Sequence, residues 1–252
     1  MNMRMLSEIT PVSRISAPDR RALYELLDRN YDHVSLQHFE QDLAEKDTVI
    51  ILRDSHGAPC GFSTQKLLRV SIDGRPVRAI FSGDTIIDPS HWGEQELGRA
   101  WCRYVGQVRA AEPDLPLYWF LISKGYRTYL YLPVFFEKYY PACLWPTPPA
   151  EQRILNALAR GKFPAHFDSE SGLILFPEPR GNLKPALASV PSPRLNNRHV
   201  QFFLSRNPSY AQGTELACLA EISPENMRSY PARILTEEQI KFASRCAEDL
   251  HV

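Results

Sequence analysis

The sequence predicts an α/β (α+β) fold, in which one mixed, mostly antiparallel open sheet carries helices on both faces. Short β-branched segments and amphipathic helical segments follow one another along the first half of the chain. The dipeptide Asp73-Gly74 joins two strand-like segments with a hairpin turn. Residues 115–123 are apolar at nearly every position, which is typical of a central strand covered on both faces.

The first elements follow from capping and spacing. Ser16 is placed as the N-cap of a helix, and the apolar positions after it recur at helical spacing. A second helix begins after Ser35. Residues 48–54 then read as a strand. Together with residues 60–73 and 75–88, they predict three consecutive antiparallel strands.

The later elements are predicted in the same way. We expect a helix over residues 94–111, then the central strand, then an aromatic helical segment that Pro133 ends or kinks. A short helix over 150–160 and a strand-like segment, GLILFPEP, follow. A strand over 215–222 comes next. The last helix is expected to begin at Thr236, because Gln239 stands at capping-box spacing from it.

The proline-rich segment PTPP divides the chain into two parts. Residues 1–145 are expected to form the first domain. Residues 146–252 are expected to form an extension packed on that domain. An alternative interpretation makes the extension a separate partner-binding domain.

Composition restricts the function. The 252 residues are 44% hydrophobic and 23% charged, and Lys plus Arg balances Asp plus Glu at 29 each. A net charge of zero favours neither nucleic acid nor a membrane surface as partner. No apolar segment approaches the roughly 20 residues of a bilayer span, and the start lacks the apolar core of a signal peptide, so we expect a cytoplasmic protein.

Metal and disulfide chemistry are not predicted. The five cysteines lie far apart with no C-x-x-C spacing, and the seven histidines include no H-E-x-x-H pair. Scattered cysteines in odd number indicate reduced thiols and no structural metal. They are Cys60, Cys102, Cys143, Cys218 and Cys246.

The order of the elements and one loop carry a resemblance to a known family. Ile87-Asp88-Pro89 ends a strand, and HWGEQELGRA leads from it into a helix. Over about residues 6–141 the chain resembles the GNAT superfamily of N-acyltransferases. In that family, backbone amides of this loop hold the pyrophosphate of coenzyme A at the helix N-terminus. Here the loop is degenerate, because Glu94 and Glu96 place negative charge beside it.

The resemblance implies a set of donor-binding residues. Trp92, Gly93 and Gly98 belong to the loop, and Ser123 stands where the family has an Asn that hydrogen-bonds the pantetheine arm. The backbone N–H groups of Ile86 and Ile87 are expected to bind the carbonyl oxygen, because adjacent strands part near residue 86. An alternative for Ser123 is a simple helix cap.

The catalytic groups are predicted partly from chemistry and partly from the resemblance. Asp84, on the strand before the loop, is the candidate base for the amine; the alternative is a carboxylate that only pairs with a neighbour. The family uses a Tyr to protonate the departing thiolate, but Phe136 stands at that position. The candidates for the missing phenol, for which core packing is the alternative role, are Tyr126, Tyr129 and Tyr131.

These expectations combine into one function and one alternative. The first is an N-acyltransferase that moves an acyl group from a pantetheine thioester, either acyl-CoA or an acyl carrier protein, to the amine of a small molecule. The altered loop fits a donor other than acetyl-CoA, and a carrier-bound acyl group is one such donor. The alternative is an inactive GNAT-like module that binds a ligand or docks a partner.

Overall fold

The structure, a computed structural model, describes residues 5–177 and 181–249. Its strands are β1 (Leu6–Pro11), β2 (Tyr31–Asp32), β3 (Thr48–Arg53), β4 (Pro59–Ile72), β5 (Arg75–Ile87), β6 (Leu117–Ser123), β7 (Phe167–Asp168), β8 (Leu173–Ile174), β9 (Asn182–Leu183) and β10 (Glu215–Glu221). Its α-helices are α1 (Ala17–Asn30), α2 (Leu36–Ala44), α3 (Glu96–Ala111), α4 (Tyr126–Tyr129), α5 (Tyr131–Phe135), α6 (Pro149–Lys162), α7 (Pro185–Ala188), α8 (Ser192–Leu195), α9 (Arg198–Arg206) and α10 (Ser229–Asp249).

The described strands build one large mixed sheet and a small one. The large sheet has the order β1-β3-β4-β5-β6-β10-β8-β7, and β2 pairs with β9 in the small one. Neighbouring strands of the large sheet are antiparallel except for β5 and β6, which run parallel. The predicted fold class, a mostly antiparallel open sheet, is therefore confirmed.

Helices cover both faces of the large sheet, as predicted. Along β6, Trp119 belongs to a core with residues of α3, α4, α5, α9 and α10, whereas its neighbour Phe120 packs with residues of α6. Alternation along β3 gives the same division, because Ile50 faces the first core and Ile51 faces α1 and α2. We call the first side the α3 face and the second side the α2 face.

Local chemistry explains the elements that were predicted correctly. The side chains of Ser16 and Ser35 cap α1 and α2, each accepting a hydrogen bond from the backbone N–H three residues on. The hairpin between β4 and β5 turns at Asp73 and Gly74, with φ of 51° and 77°. Two consecutive residues with positive φ match the right-handed twist of the flanking strands.

Two helix predictions were wrong in their bounds. The aromatic helix is two short pieces that meet at Leu130, and Phe136 is extended beside Met227. Pro133 has no N–H to donate to the carbonyl of Tyr129, one turn earlier, so the helix is interrupted between Tyr129 and Tyr131. The last helix begins at Ser229 instead of Thr236, because Pro231 is tolerated in a first turn, where no N–H needs an intrahelical partner.

Two further differences concern strands. β1 was not predicted; it pairs along β3 at the edge of the sheet. The strand expected in GLILFPEP is only the pair Leu173–Ile174, since the proline that follows cannot donate to a ladder.

The C-terminal part of the chain completes the same sheet. β10 lies beside β6 over the whole of that strand, and β8 and β7 continue the sheet beyond it. α10 lies on the α3 face, where its Leu235 is fully buried in the same core as Val105 of α3. No break in the sheet falls at residue 145.

Candidate functional site

The parallel strands β5 and β6 separate toward their C-terminal ends. Their pairing runs from Arg78 beside Leu117 to Ser82 beside Leu121, whereas β5 continues to Ile87 and β6 to Ser123. A gap therefore opens between the strands after Ser82. Such a gap leaves backbone groups free to bind a ligand at the centre of the sheet.

A β-bulge in β5 lies at the start of this gap. Gln65 pairs with Ser82 and Ser63 pairs with Thr85, so β5 carries one extra residue at Gly83-Asp84. A Cβ on residue 83 would come 2.6 Å from Thr64 Oγ1 and 2.8 Å from Lys46 Cε, which explains the glycine. The extra residue reverses the alternation of side chains in β5 beyond the bulge.

A cavity of about 520 Å³ opens on the α2 face beside the bulge. Residues of α1, α2 and the end of α6 surround it, together with the start of β10. Its lining combines aromatic rings with charged side chains of both signs. The polar and charged side chains that line it include Tyr31, Asp42, Glu45, Lys46, Asp84, Thr85, Lys124, Lys162 and Glu215.

Ion pairs neutralise most of the charge in the cavity. Lys124 Nζ lies 3.2 Å from Glu215 Oε1, and both side chains are largely buried. Lys46 pairs with Asp42, and Lys162 pairs with Glu45. Among the described residues, the cavity's remaining carboxylate, Asp84, has no ion pair.

Asp84 is therefore the titratable group set apart from the others. Burial raises its pKa to about 6, and the negative charge of Asp42 adds to the shift, while Lys46 and Lys124 oppose it. A carboxylate with a pKa near 6 is ionised at neutral pH and remains basic enough to take a proton from an amine.

Tyr31 brings a phenol to the same cavity. It follows α1, and the Lys124 ammonium lies 5.6 Å from its ring centroid. Burial and the charges of Asp84 and Glu215 hold its pKa well above the usual value, so the hydroxyl keeps its proton at neutral pH. A protonated phenol near a carboxylate provides an acid and a base in one cavity.

A buried chain of hydrogen bonds leads from the α3 face to the cavity. Trp119 Nε1 donates to Ser82 Oγ at 2.8 Å, and Ser82 donates to Gln65 at 2.7 Å. Gln65 Nε2 donates to Ser63 Oγ at 2.7 Å, which lies 2.8 Å from Thr85 Oγ1. The chain fixes the side chains around the bulge, because each polar group satisfies the next.

The tyrosines expected as acids lie elsewhere. Tyr129 is fully buried and donates its hydroxyl to the carbonyl of Pro141 at 2.8 Å. Tyr126 is buried in the core on the α3 face, and Tyr131 packs its ring on Phe135. Burial raises the pKa of Tyr129 and of Tyr131. None of the three lines the cavity that contains Asp84.

The predicted backbone donors differ in direction. Asp88 N donates to Cys60 O at 2.9 Å, and bonding alternates along an antiparallel ladder. The N–H of Ile86 is therefore directed at β4, whereas the N–H of Ile87 faces the gap. Ser123 is fully buried, and the Nδ2 of Asn207 donates to its carbonyl at 3.4 Å.

Trp92 spans the outer end of the gap. Its Nε1 donates to the carbonyl of Ile87 at 2.9 Å, and the guanidinium carbon of Arg127 lies 4.3 Å from its ring centroid. Arg127 in turn donates to the carbonyl of Leu187 at 2.6 Å. The indole and the guanidinium thus close the gap between the end of β5 and α4 in this conformation.

The loop before α3 is only partly suited to an anion. Gly93 has a φ of 99° in open space, but Gly98 lies inside α3, where a Cβ would come 2.8 Å from Phe135 Cζ. Gly98 therefore serves helix packing. The carboxylate of Glu96 accepts from Ser7 at 2.6 Å and pairs with Arg103 at 3.0 Å, which reduces its repulsion of an anion at the first turn.

Two whole-chain observations complete the description. Within residues 5–177 and 181–249, no helix is both long and apolar enough to span a bilayer. No group of three or more His, Cys, Asp or Glu side chains in that part of the chain is arranged to hold a metal ion.

A pair of adjacent strands that separates near residue 86 is the arrangement that the resemblance predicts. No protein-family model matches the chain. No curated protein matches it in sequence.

Solved structures match about half of the chain. A conserved protein of Enterococcus faecalis V583, described as a probable N-acyltransferase, is 12% identical with a TM-score of 0.40, over 52% of this chain and 33% of that one. The GNAT family N-acetyltransferase YhbS of Escherichia coli, in complex with CoA, is 18% identical with a TM-score of 0.37, over 54% and 71%. A GCN5-related N-acetyltransferase of Kribbella flavida is 12% identical with a TM-score of 0.38, over 54% and 34%. Superpositions this partial assign no residue, donor or acceptor.

Several site residues were missed from the sequence. Tyr31, Lys46, Lys124 and Glu215 come from four separate segments of the chain, and no local pattern joins them. A usable signal was the polar run Ser63-Thr64-Gln65, which directly follows the apolar start of β4. Polar side chains buried in a strand need partners, so they mark a built site.

Proposed function

We propose that this protein is an N-acyltransferase, which moves an acyl group from a pantetheine thioester to the amine of a small molecule. The observation that carries the proposal is Asp84, a carboxylate without an ion pair among the described residues. It lies on a bulge at the gap between two parallel strands and faces a cavity of about 520 Å³. A cavity of this size suits a small-molecule acceptor.

The chemistry requires one bond to form and one to break. The acceptor amine, held in the cavity, gives a proton to the carboxylate of Asp84, and its nitrogen attacks the thioester carbon. The N–H of Ile87, which faces the gap, is placed to stabilise the negative charge on the carbonyl oxygen. The C–S bond then breaks and the pantetheine thiolate leaves.

We assign protonation of that thiolate to Tyr31. Its phenol is protonated at neutral pH and shares the cavity with Asp84. The phenolate formed when it gives its proton to the thiolate regains a proton from the Asp84 carboxyl, which took one from the amine. The buried hydroxyl of Tyr129 donates to a backbone carbonyl, which leaves it a structural role in this proposal.

The donor remains acyl-CoA or a carrier-bound acyl group. The first turn of α3 offers unpaired N–H groups to a pyrophosphate, whereas Glu94 beside it disfavours one. A carrier-bound phosphopantetheine arm places no nucleotide diphosphate there. We therefore propose an acyl carrier protein as partner and as the preferred donor, and the cytoplasm as the location.

The test measures thiol release with a panel of amines, using acetyl-CoA, a longer acyl-CoA and an acyl carrier protein as donors. Asp84→Asn is expected to lower kcat/KM by about 10²–10⁴, because an amide cannot take the proton. Asp73→Asn is the matched control. It changes the other end of the same strand, at a turn where Asn accepts the positive φ. Equal activity of the two variants would contradict the role of Asp84.

The pH dependence adds a second readout. Because the base acts when ionised, kcat/KM of the wild type should rise with pH and level off above about 6. A profile without an inflection between about pH 5 and 7 would argue against Asp84 as the base.

One observation favours a second candidate, a GNAT-like module that binds a ligand without catalysis. The contact between Trp92 and Arg127 closes the outer end of the gap, where a donor arm would enter. In this case calorimetry would detect binding of an amine or of an acyl thioester, while no donor in the panel would release thiol.

A further inference from the structure

The charges that line the cavity on the α2 face do not balance. Carboxylates outnumber ammonium groups by one among the described residues of the lining. The carboxylates are those of Asp42, Glu45, Asp84 and Glu215, and the ammonium groups are those of Lys46, Lys124 and Lys162. Each lysine pairs with one carboxylate, so the negative charge in excess is that of Asp84. The cavity is therefore complementary to a ligand that carries a single positive charge.

The same ion pairs occupy the cations that an acidic group of a ligand would need. Lys124 Nζ lies 3.2 Å from Glu215 Oε1 in a largely buried pair, and Lys162 pairs with Glu45. A carboxylate or phosphate that entered the cavity would either displace one of these partners or stay without a cation near the carboxylate of Asp84. Both outcomes cost binding free energy, because a buried charge needs a partner and like charges repel.

A continuous group of aromatic rings also lines the cavity. The ring centroids of Phe81 and Phe163 lie 5.9 Å apart, and those of Phe163 and Phe176 lie 6.0 Å apart. The ring of His166 follows, 4.9 Å from that of Phe176, centroid to centroid. Phe163 and Phe176 are half-buried, so their rings offer apolar surface for a ligand to cover. Phe81 precedes Asp84 by three residues on β5, and both line the same cavity.

We infer that the acceptor is a primary amine with one positive charge, an apolar body and no acidic group. This inference rests on the proposed function, because it takes an amine as the ligand of this cavity. The ammonium group binds beside Asp84, and the apolar body covers the rings of Phe163 and Phe176. Free amino acids are rejected, because no cation is available for their carboxylate among the described residues of the lining. The bound ammonium passes one proton to water, and the neutral amine then attacks the thioester.

The first test measures acceptor binding in the absence of a donor. Calorimetry is done at pH 8, at which an ordinary imidazole carries no charge. It compares phenethylamine with para-carboxyphenethylamine, which adds only a carboxylate to the ring, and phenylalaninamide with phenylalanine, which has a carboxylate in place of the amide. Each acid should bind at least about tenfold more weakly than its counterpart. Equal binding within either pair, or no binding of any of the four, overturns the inference.

A variant tests the ion pairs directly. Glu45→Gln removes the carboxylate that pairs with Lys162, whose ammonium lies 5.9 Å from the ring centroid of Phe163. The affinity for para-carboxyphenethylamine should rise by about tenfold, while that for phenethylamine should change by less than about twofold. Glu40→Gln is the matched control, because this carboxylate lies on α2, pairs with an arginine of α1 and does not line the cavity. It should leave both affinities unchanged.

The Glu45 side chain is 59% exposed, so its replacement by Gln should preserve the fold, which thermal unfolding checks. A Glu45→Gln protein that unfolds like the wild type and gains no affinity for the acid contradicts the role of the ion pairs.

Catalysis and acceptor class are measured separately. Thiol release with phenethylamine and each donor tests the transferase activity, whereas calorimetry tests the class of ligand. Binding in the expected order without thiol release from any donor would contradict catalysis and support the acceptor class. Thiol release with phenylalanine as fast as with phenylalaninamide would support catalysis and overturn the inference.

Discussion

The two faces of the sheet differ in how tightly side chains pack against the strands β5 and β6. On the α3 face, the ring of Trp119 lies 4.4 Å from that of Trp101 and 6.3 Å from that of Phe135, centroid to centroid, and the space is filled. On the α2 face, a cavity opens beside the bulge at Gly83 and Asp84. The same two strands thus support a packed core on one side and a cleft on the other.

This difference assigns separate tasks to the two faces. The packed face contributes stability, because aromatic side chains bury large apolar areas. The open face contains charged groups that lower the free energy of unfolding, because a carboxylate with a raised pKa is less stable in its ionised form in the folded state than in water. Perturbed pKa values cluster at functional sites.

The largest expected effect comes from the packed face. Trp119→Ala should lower the free energy of unfolding by about 3–5 kcal/mol, because it leaves a large void against Trp101 and removes a buried donor to Ser82. Urea denaturation followed by circular dichroism measures the loss. A loss below about 1 kcal/mol would show that the two faces do not differ as described.

The second prediction has the opposite sign and lies on the open face. The folded pKa of Asp84, about 6, exceeds its ordinary value of 3.8, so folded protein holds the proton more tightly than unfolded chain. Stability from this group therefore falls as the pH rises from about 4 to about 6. Asp84→Asn should be more stable than the wild type by about 1–3 kcal/mol at pH 7.

The gain of Asp84→Asn should disappear near pH 4, where the wild-type carboxyl is protonated in the folded state. Denaturation curves for both proteins at the two pH values give the comparison. A variant that is less stable than the wild type at pH 7 would mean that the ionised carboxylate is stabilised by contacts.

The third prediction tests the bulge itself. Gly83→Ala should cost about 1–3 kcal/mol, because its Cβ would collide with Thr64 Oγ1 and Lys46 Cε. Gly161→Ala is the control, since nothing lies within 4 Å of its added Cβ and the site is helical. That variant should gain up to about 1 kcal/mol. Thermal unfolding of the pair suffices, and equal shifts would remove the steric explanation.

The smallest effect on stability is expected at the outer end of the gap between β5 and β6. Trp92 is 43% exposed, so Trp92→Ala should change the free energy of unfolding by less than about 1 kcal/mol. It should lower the KM for the thioester donor, because the contact with Arg127 no longer spans the gap. A raised KM would instead assign the indole to donor binding.

Much of the fold was predictable from local signals. The serine caps of α1 and α2, the turn at Asp73-Gly74 and the apolar strand β6 each depend on a few neighbouring residues, and the structure contains all of them. The predicted start of the last helix at Thr236 was wrong, because a capping-box spacing is common by chance. The observed start of α10 at Ser229 depends on how this helix packs on α3. Pro133 was identified as a break, but the break falls one turn earlier.

The candidate site was predictable only in part. Asp84 could be singled out as a carboxylate near the end of a central strand, and it lines the cavity on the α2 face. Tyr31, the phenol that we propose as the acid, could not be predicted in the same way. It lies far from Asp84 in sequence, and only the tertiary fold brings the two into one cavity. The tyrosines on α4 and α5 were predicted because they lie on the same expected helix as Phe136, which stands at the acid position, and in the structure none of them lines the cavity.

The position of β10 has a consequence for synthesis on the ribosome. β6 leaves the ribosome long before β10, which is its antiparallel neighbour along its full length. Until then the nascent chain carries an apolar strand with an unprotected edge, the kind of surface that invites chaperones or aggregation. A chain that stops translation before residue 215 should therefore accumulate as insoluble material, whatever the fate of its N-terminal elements.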